Sequence, residues 1–176
     1  MSQPVRPMDM LALVLAVNAW GTEPRRARGE HEAPLPSPRD VTADPLLLHE
    51  PVARLVDLAD AAYPAFTGPD DEGRAAVVTT LLERSGVRPA LLSDGGLRSG
   101  WVVPAADRRP LAAAALALWL QLGAGPGERL GTCADPACED AYVDASPAGR
   151  RRFCSVTCQN RARAAAYRHR RRRRAG

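Results

Sequence analysis

Apolar residues fall in blocks separated by polar, proline-rich stretches, and the blocks set out a helical protein. Met10–Val17 contains no polar residue and is preceded by Asp9, an N-cap type, so it reads as a buried helix closing at Asn18-Ala19-Trp20-Gly21. A buried strand is the competing reading, because Val14, Leu15 and Val17 suit one. Residues 1–8 show no period and are expected to be disordered. Thr22–Asp40 is polar and punctuated by Pro24, Pro34, Pro36 and Pro38, which predicts a long, mobile surface loop containing His31. Helical spacing returns at Leu55, Val56, Leu58 and Ala59, giving a helix from Pro45 or Pro51 to Ala62, stopped by Pro64. Gly68-Pro-Asp-Asp-Glu72 is a helix start, and the third helix runs through Ala75, Val78, Leu81 and Leu82 to Ser85-Gly86.

Beyond it, Pro89–Ser93 is expected to add a short helical turn, and Trp101-Val102-Val103 a brief strand closed by Pro104. Pro110 opens a fourth helix whose Leu111–Leu122 body is almost all Ala and Leu; apolar on every face, it belongs at the centre of the core. Gly123-Ala-Gly-Pro-Gly127 breaks it and predicts the domain boundary. The expected fold class is therefore mainly α. A helical domain over 1–127 precedes a small treble-clef-like unit over 128–176, built as a β-hairpin plus a basic C-terminal helix.

That second unit holds all four cysteines, Cys133, Cys138, Cys154 and Cys158, spaced C-x4-C-x15-C-x3-C. The spacing suits a structural zinc site with four thiolate ligands and one ion. Two disulfides or four free thiols are the alternatives. A unit this short cannot build a stable apolar core unaided, so a metal is its natural staple. Asp135-Pro136 supplies a turn between the first pair. Ala141–Val143 and Arg151–Phe153 read as two strands around the Ser146–Gly149 turn, and Ser155 caps a helix starting near Val156.

Composition and charge sharpen this picture. Only 5% of residues are aromatic, so Ala and Leu do the packing, which favours helices. Every basic residue is arginine. Residues 1–128 carry 12 Arg against 16 acids, whereas 129–176 carry 12 against 4, and from Ala145 onward there is no acid at all. Such asymmetry points to a polyanionic partner, with double-stranded DNA the leading candidate. Arg150, Arg151, Arg152, Arg163, Arg168, Arg170, Arg171 and Arg172 are the expected phosphate contacts. Asn160 and Arg161 are the types that pair with adenine and guanine edges in the major groove. Asn160 has a second reading, closing the zinc knuckle onto backbone. Few aromatics near the finger argue against single-strand RNA, which leaves an RNA or ribosome-binding module as the alternative function. Four thiolates leave no open metal position, and His31, His49 and His169 form no cluster, so no enzyme is expected. No apolar run approaches the roughly 20 residues a bilayer requires, and the N-terminus lacks a signal-peptide pattern. A reducing cytoplasm is the expected location. Upstream, Asn18 and Trp20 give the one hint of a ligand pocket, with core or capping roles as the alternative.

Residues 129–176 resemble the CGNR zinc-finger family. The Cys-Gly-Asn-Arg signature stands here as Cys158-Gln159-Asn160-Arg161, and Arg129-Leu130, Asp135-Pro136, Asp144, Gly149, Arg151-Arg152 and Phe153-Cys154-Ser155 are similar too. Gln159 in place of glycine and a tighter second cysteine pair are departures. Leu13–Ala19 is similar to the opening segment of the ABATE domain, a stress-induced transcription regulator module often found before this finger. The resemblance implies a bacterial DNA-binding regulator whose N-terminal domain senses a signal or dimerises.

Overall fold

The computed structural model describes residues 2–93, 95–125 and 129–175; of His169, Arg174 and Ala175 it describes the backbone alone. About half of the chain is helical, with two small antiparallel sheets. Helix α1 (Met10–Trp20) takes the helical alternative, and its N-cap is the expected one: Asp9 Oδ1 accepts from Leu11 N at 2.8 Å and Ala12 N at 3.2 Å. It packs along α4 (Val52–Ala62), whose buried Leu55, Leu58, Ala59 and Ala62 form one stripe. Helix α6 (Asp71–Ser85) starts at the Asp70 cap and ends at Gly86. That glycine has φ 65° and donates to the carbonyls of Leu82 and Glu83, the left-handed stop that a side chain would strain. Helix α7 (Arg109–Gly123) is the central one, buried without a break from Ala112 to Leu118. Its alanines admit close approach of α1, α4 and α6, and each fully buried Leu or Val around them contributes roughly 1.5–3 kcal/mol.

Four segments differ from the sequence expectation. Residues 1–8 are not featureless: β1 (Gln3–Val5) pairs with β3 (Arg98–Val103), Val5 opposite Trp101. Pro89–Ser93 does not turn helically: Pro89–Leu92 lies in β2 (Arg88–Leu92), the other neighbour of β3, and Ser93 just past its end. A central strand flanked on both sides offers its neighbours backbone partners, and that outweighs the local preference of Pro89. The 22–40 segment is not a bare loop. It contains α2 (Thr22–Ala27) and α3 (Pro38–Val41), and buried Arg25 donates to the carbonyls of Glu30 and Ala33 at 2.7 and 2.6 Å. Trp20 Nε1 pins the same segment by donating to Pro36 O at 3.1 Å. A short α5 (Pro64–Thr67) follows α4.

Among the described residues no helix is long and apolar enough to cross a membrane. Of the expected boundary, Pro126, Gly127 and the adjoining Glu128 lie outside the described residues. Past it the core continues, because Leu130 and Ala141 are buried against the same cluster as α1 and α7, with Val143 packed on it.

Candidate metal centre and basic helix

The centre is assembled from two halves. In the first, β4 (Leu130–Thr132) pairs with β5 (Ala141–Val143) and leads into Cys133. The Cys133 amide donates to Asp140 O at 2.9 Å. Asp135 shapes the turn to Cys138, accepting from Ala137 N on Oδ1 (3.1 Å) and from Cys138 N on its carbonyl (2.8 Å). In the second half, Cys154 precedes helix α8 (Val156–Ala175), and Cys158 lies in its first turn. Ser155 caps that helix as its sequence position predicts, its Oγ accepting from Cys158 N at 3.2 Å. The strand partner of β5 is not Arg151–Phe153, as expected, but β4. Asp144 explains the change: its carboxylate accepts the Ser146 and Arg151 amides at 2.8 and 2.7 Å, so the returning chain is tied by a side chain instead of a ladder. Those bonds hold the Asp144 carboxyl below its ordinary range.

The four sulfurs lie within 4.8 Å of one another; Cys138–Cys154 is 3.6 Å and Cys154–Cys158 3.5 Å. Tetrahedral zinc with Zn–S near 2.3 Å needs sulfurs about 3.8 Å apart, so the cradle fits the ion. The donor set is all thiol, with no histidine or carboxylate among the four. Burial pushes the Cys138 and Cys154 thiols up, Cys154 to about 12. Cys158 goes the other way; burial opposes this, but hydrogen bonds from Ser155 and the neighbouring thiols outweigh it. Metal loading therefore expels protons and weakens as pH falls.

Around the sulfurs, Arg161 Nη2 donates to Cys158 Sγ at 3.5 Å, and its Nε lies 2.9 Å from Oδ2 of buried Asp135. The Arg161 guanidinium thus bridges the two halves of the centre. A second bridge is Ala134 N to Arg152 O at 2.8 Å. The third is Tyr142, whose hydroxyl donates to Arg151 O at 2.6 Å beneath the Arg151 guanidinium, 4.9 Å from the ring centroid. A methyl on Gly131 would meet the Tyr142 ring and hydroxyl at 2.8–2.9 Å. Gly131→Ala is accordingly expected to break the Tyr142–Arg151 bond and cost about 1–3 kcal/mol, visible as an earlier zinc-release midpoint in a chelator titration.

The remaining sequence-derived candidates divide sharply. Arg150, Arg152, Asn160, Arg163, Arg168 and Arg170–Arg172 are exposed. Arg151 is exposed but engaged, donating to the carbonyls of Phe153, Val143 and Cys154. Trp20 falls in the body of the protein, whereas Asn18 is half-buried and lines a cleft beside the metal centre. Trp20 is fully buried, and Asn18 spends its whole amide on the Ala141 backbone: Nδ2 to the carbonyl at 3.0 Å, Oδ1 from the amide at 2.7 Å. Sequence reasoning missed three residues that reach the same region. Tyr63 hydroxyl donates to Glu139 O at 3.0 Å, Arg28 pairs with Asp140, and buried Arg74 reaches Leu130 O at 3.5 Å. Their only sequence signal was an arginine or tyrosine inside an otherwise apolar or looped stretch.

The family model described as CGNR zinc finger matches residues 129–171, about a quarter of the chain. No curated protein matches the chain. The match and the four-thiol cradle together identify the cofactor as a structural zinc ion.

Proposed function

We propose that the protein is a DNA-binding transcriptional regulator in which zinc anchors α8 and α8 meets duplex DNA. The observation that carries this reading is α8 itself. From Asn160 to Arg173 every described side chain but Ala162 is exposed, only Arg161 among the exposed ones is engaged with the metal centre, and the helix has no acid anywhere along it. A free helix bearing this much like charge repels itself unless an anion is near. Arg163, Arg168 and Arg170–Arg172 meet phosphates, Arg150 and Arg152 extend the contact from the loop before Cys154, and Asn160 is the residue placed to read a base edge. Zinc held by four thiolates leaves no position for a substrate water, so its role is to hold and not to react. The 1–127 segment takes the sensing or assembly role of an ABATE-type domain, in a reducing cytoplasm where thiols stay available to hold zinc.

The test is duplex binding by zinc-loaded protein across a salt series, with structured RNA as competitor. If roughly six to eight phosphates are neutralised, log K falls against log salt with slope roughly −5 to −7. Binding that is flat with salt, or that RNA displaces at lower concentration than DNA does, sinks the reading.

A further inference from the structure

Three side chains from three different elements of the N-terminal half converge on one tripeptide of the finger. Asn18, on the last turn of α1, holds both backbone groups of Ala141. Tyr63, between α4 and α5, donates to Glu139 O. Arg28, which ends α2, pairs with the Asp140 carboxylate while its other amino group donates to Asn18 O at 2.8 Å. Glu139-Asp140-Ala141 is the segment that leaves Cys138 directly. Its Asp140 carbonyl also accepts the Cys133 amide, and Asp140 Oδ2 is 3.8 Å from Cys154 Sγ. The tripeptide therefore positions both ligands of the first half and faces a ligand of the second.

We infer that the N-terminal half is a working part of the zinc site: Asn18, Tyr63 and Arg28 set the pose of residues 139–141, so that docking of α1 and α2 against the finger and retention of zinc are thermodynamically linked. Groups outside the ligand sphere that orient metal ligands typically govern affinity by 10–100-fold when removed. Linkage is reciprocal, so zinc also strengthens the docking by the factor that docking strengthens zinc. A signal that pulls α1 off Ala141 would loosen the metal centre and, with it, the base of α8. The inference does not depend on what α8 binds, and it stands or falls separately from the DNA reading.

The experiment uses full-length, zinc-loaded protein challenged with the chromogenic chelator 4-(2-pyridylazo)resorcinol. Asn18→Ala and Tyr63→Phe are compared with Thr22→Ala. The last removes a hydrogen bond from Thr22 Oγ1 to Asp60 (2.6 Å) inside the N-terminal half and touches nothing in the finger. Asn18→Ala is expected to yield zinc at chelator concentrations about tenfold lower than the parent, and Tyr63→Phe several-fold lower, with Thr22→Ala unchanged. Stripping zinc should in turn speed hydrogen exchange at the Ala141 amide. If Asn18→Ala fails to fold, Tyr63→Phe decides, since it deletes one hydroxyl and leaves the ring. Zinc retention by Tyr63→Phe and Asn18→Ala within about twofold of the parent overturns the inference. So does an equal loss in Thr22→Ala, which would mean that zinc merely tracks global stability.

Discussion

Cys158→Ser is expected to empty the metal centre and release α8 from the rest of the protein. The four ligands are divided, with Cys133 and Cys138 on the half docked to the helical core and Cys154 and Cys158 on the half that begins α8. The cysteines and Phe153 form their own small cluster, separate from the main core, so the metal supplies most of what a core would. Structural zinc in modules of this size contributes about 10–16 kcal/mol of apparent binding free energy, and a serine hydroxyl cannot replace a thiolate in that set. Without it, α8 is a helix of 20 residues on its own, only somewhat longer than the roughly 12–15 residues below which isolated helices are marginal, and its arginines repel one another. The measurement is zinc content together with far-ultraviolet circular dichroism. Zinc should fall from one ion per chain to a small fraction, and the helical signal should drop by roughly the share belonging to α8. The main core, which contains no cysteine, should keep its cooperative thermal transition. Duplex affinity should fall to the level of a flexible basic tail. A variant that keeps its α8 helicity and duplex affinity without zinc would show that the metal is dispensable.

What could be read from the sequence was whatever is decided locally. The Asp9 and Ser155 caps, the helix start at 68–72, the Gly86 stop and the Ala- and Leu-rich α7 each depend on close neighbours in sequence, the four cysteines announce themselves by type and spacing, and the structure has all of them. What escaped is decided at long range. β1 is three residues whose partner lies nearly the whole domain away, and β5 pairs with β4 because Asp144 has already claimed the Arg151 amide. Asn18 illustrates the limit best. Its position at the end of an apolar helix suggested a cap or a pocket wall; it does line a cleft beside the metal centre, but nothing local showed that its amide is matched to a peptide group 123 residues further on. No local rule marks a side chain whose purpose is another segment's backbone. The same holds within the finger. The Asn160-Arg161 pair looks like two base readers on adjacent positions, but successive helical residues point about 100° apart. One of them, Arg161, is drawn inward by a carboxylate 26 positions earlier.

That placement yields a sharp prediction for Arg161→Ala. The Asp135 carboxylate is almost fully buried, and Arg161 is its ion-pair partner at 2.9 Å. Removing one member of such a pair leaves a charge without compensation, at a cost of several kcal/mol when both are buried. Arg161 is half exposed, so solvent relieves part of that and the expected loss is about 2–3 kcal/mol of finger stability. The Cys158 sulfur loses a donor at the same time. Zinc should therefore be surrendered to a chelator more readily, in parallel with the stability loss. Arg163→Ala, two positions on and exposed, should leave zinc retention untouched and lower the salt slope of duplex binding by about one. Asp135→Asn provides the cross-check. If the pair is the source of the effect, Arg161→Ala should cost much less in the Asp135→Asn background than alone. Were Arg161 a base reader instead, Arg161→Ala would relax sequence preference while zinc affinity and melting stayed at the parent values, and the cycle with Asp135→Asn would be additive. The inward guanidinium makes the first outcome the expected one: Arg161 holds the helix to its metal, and under the proposed DNA-binding function base reading is left to Asn160.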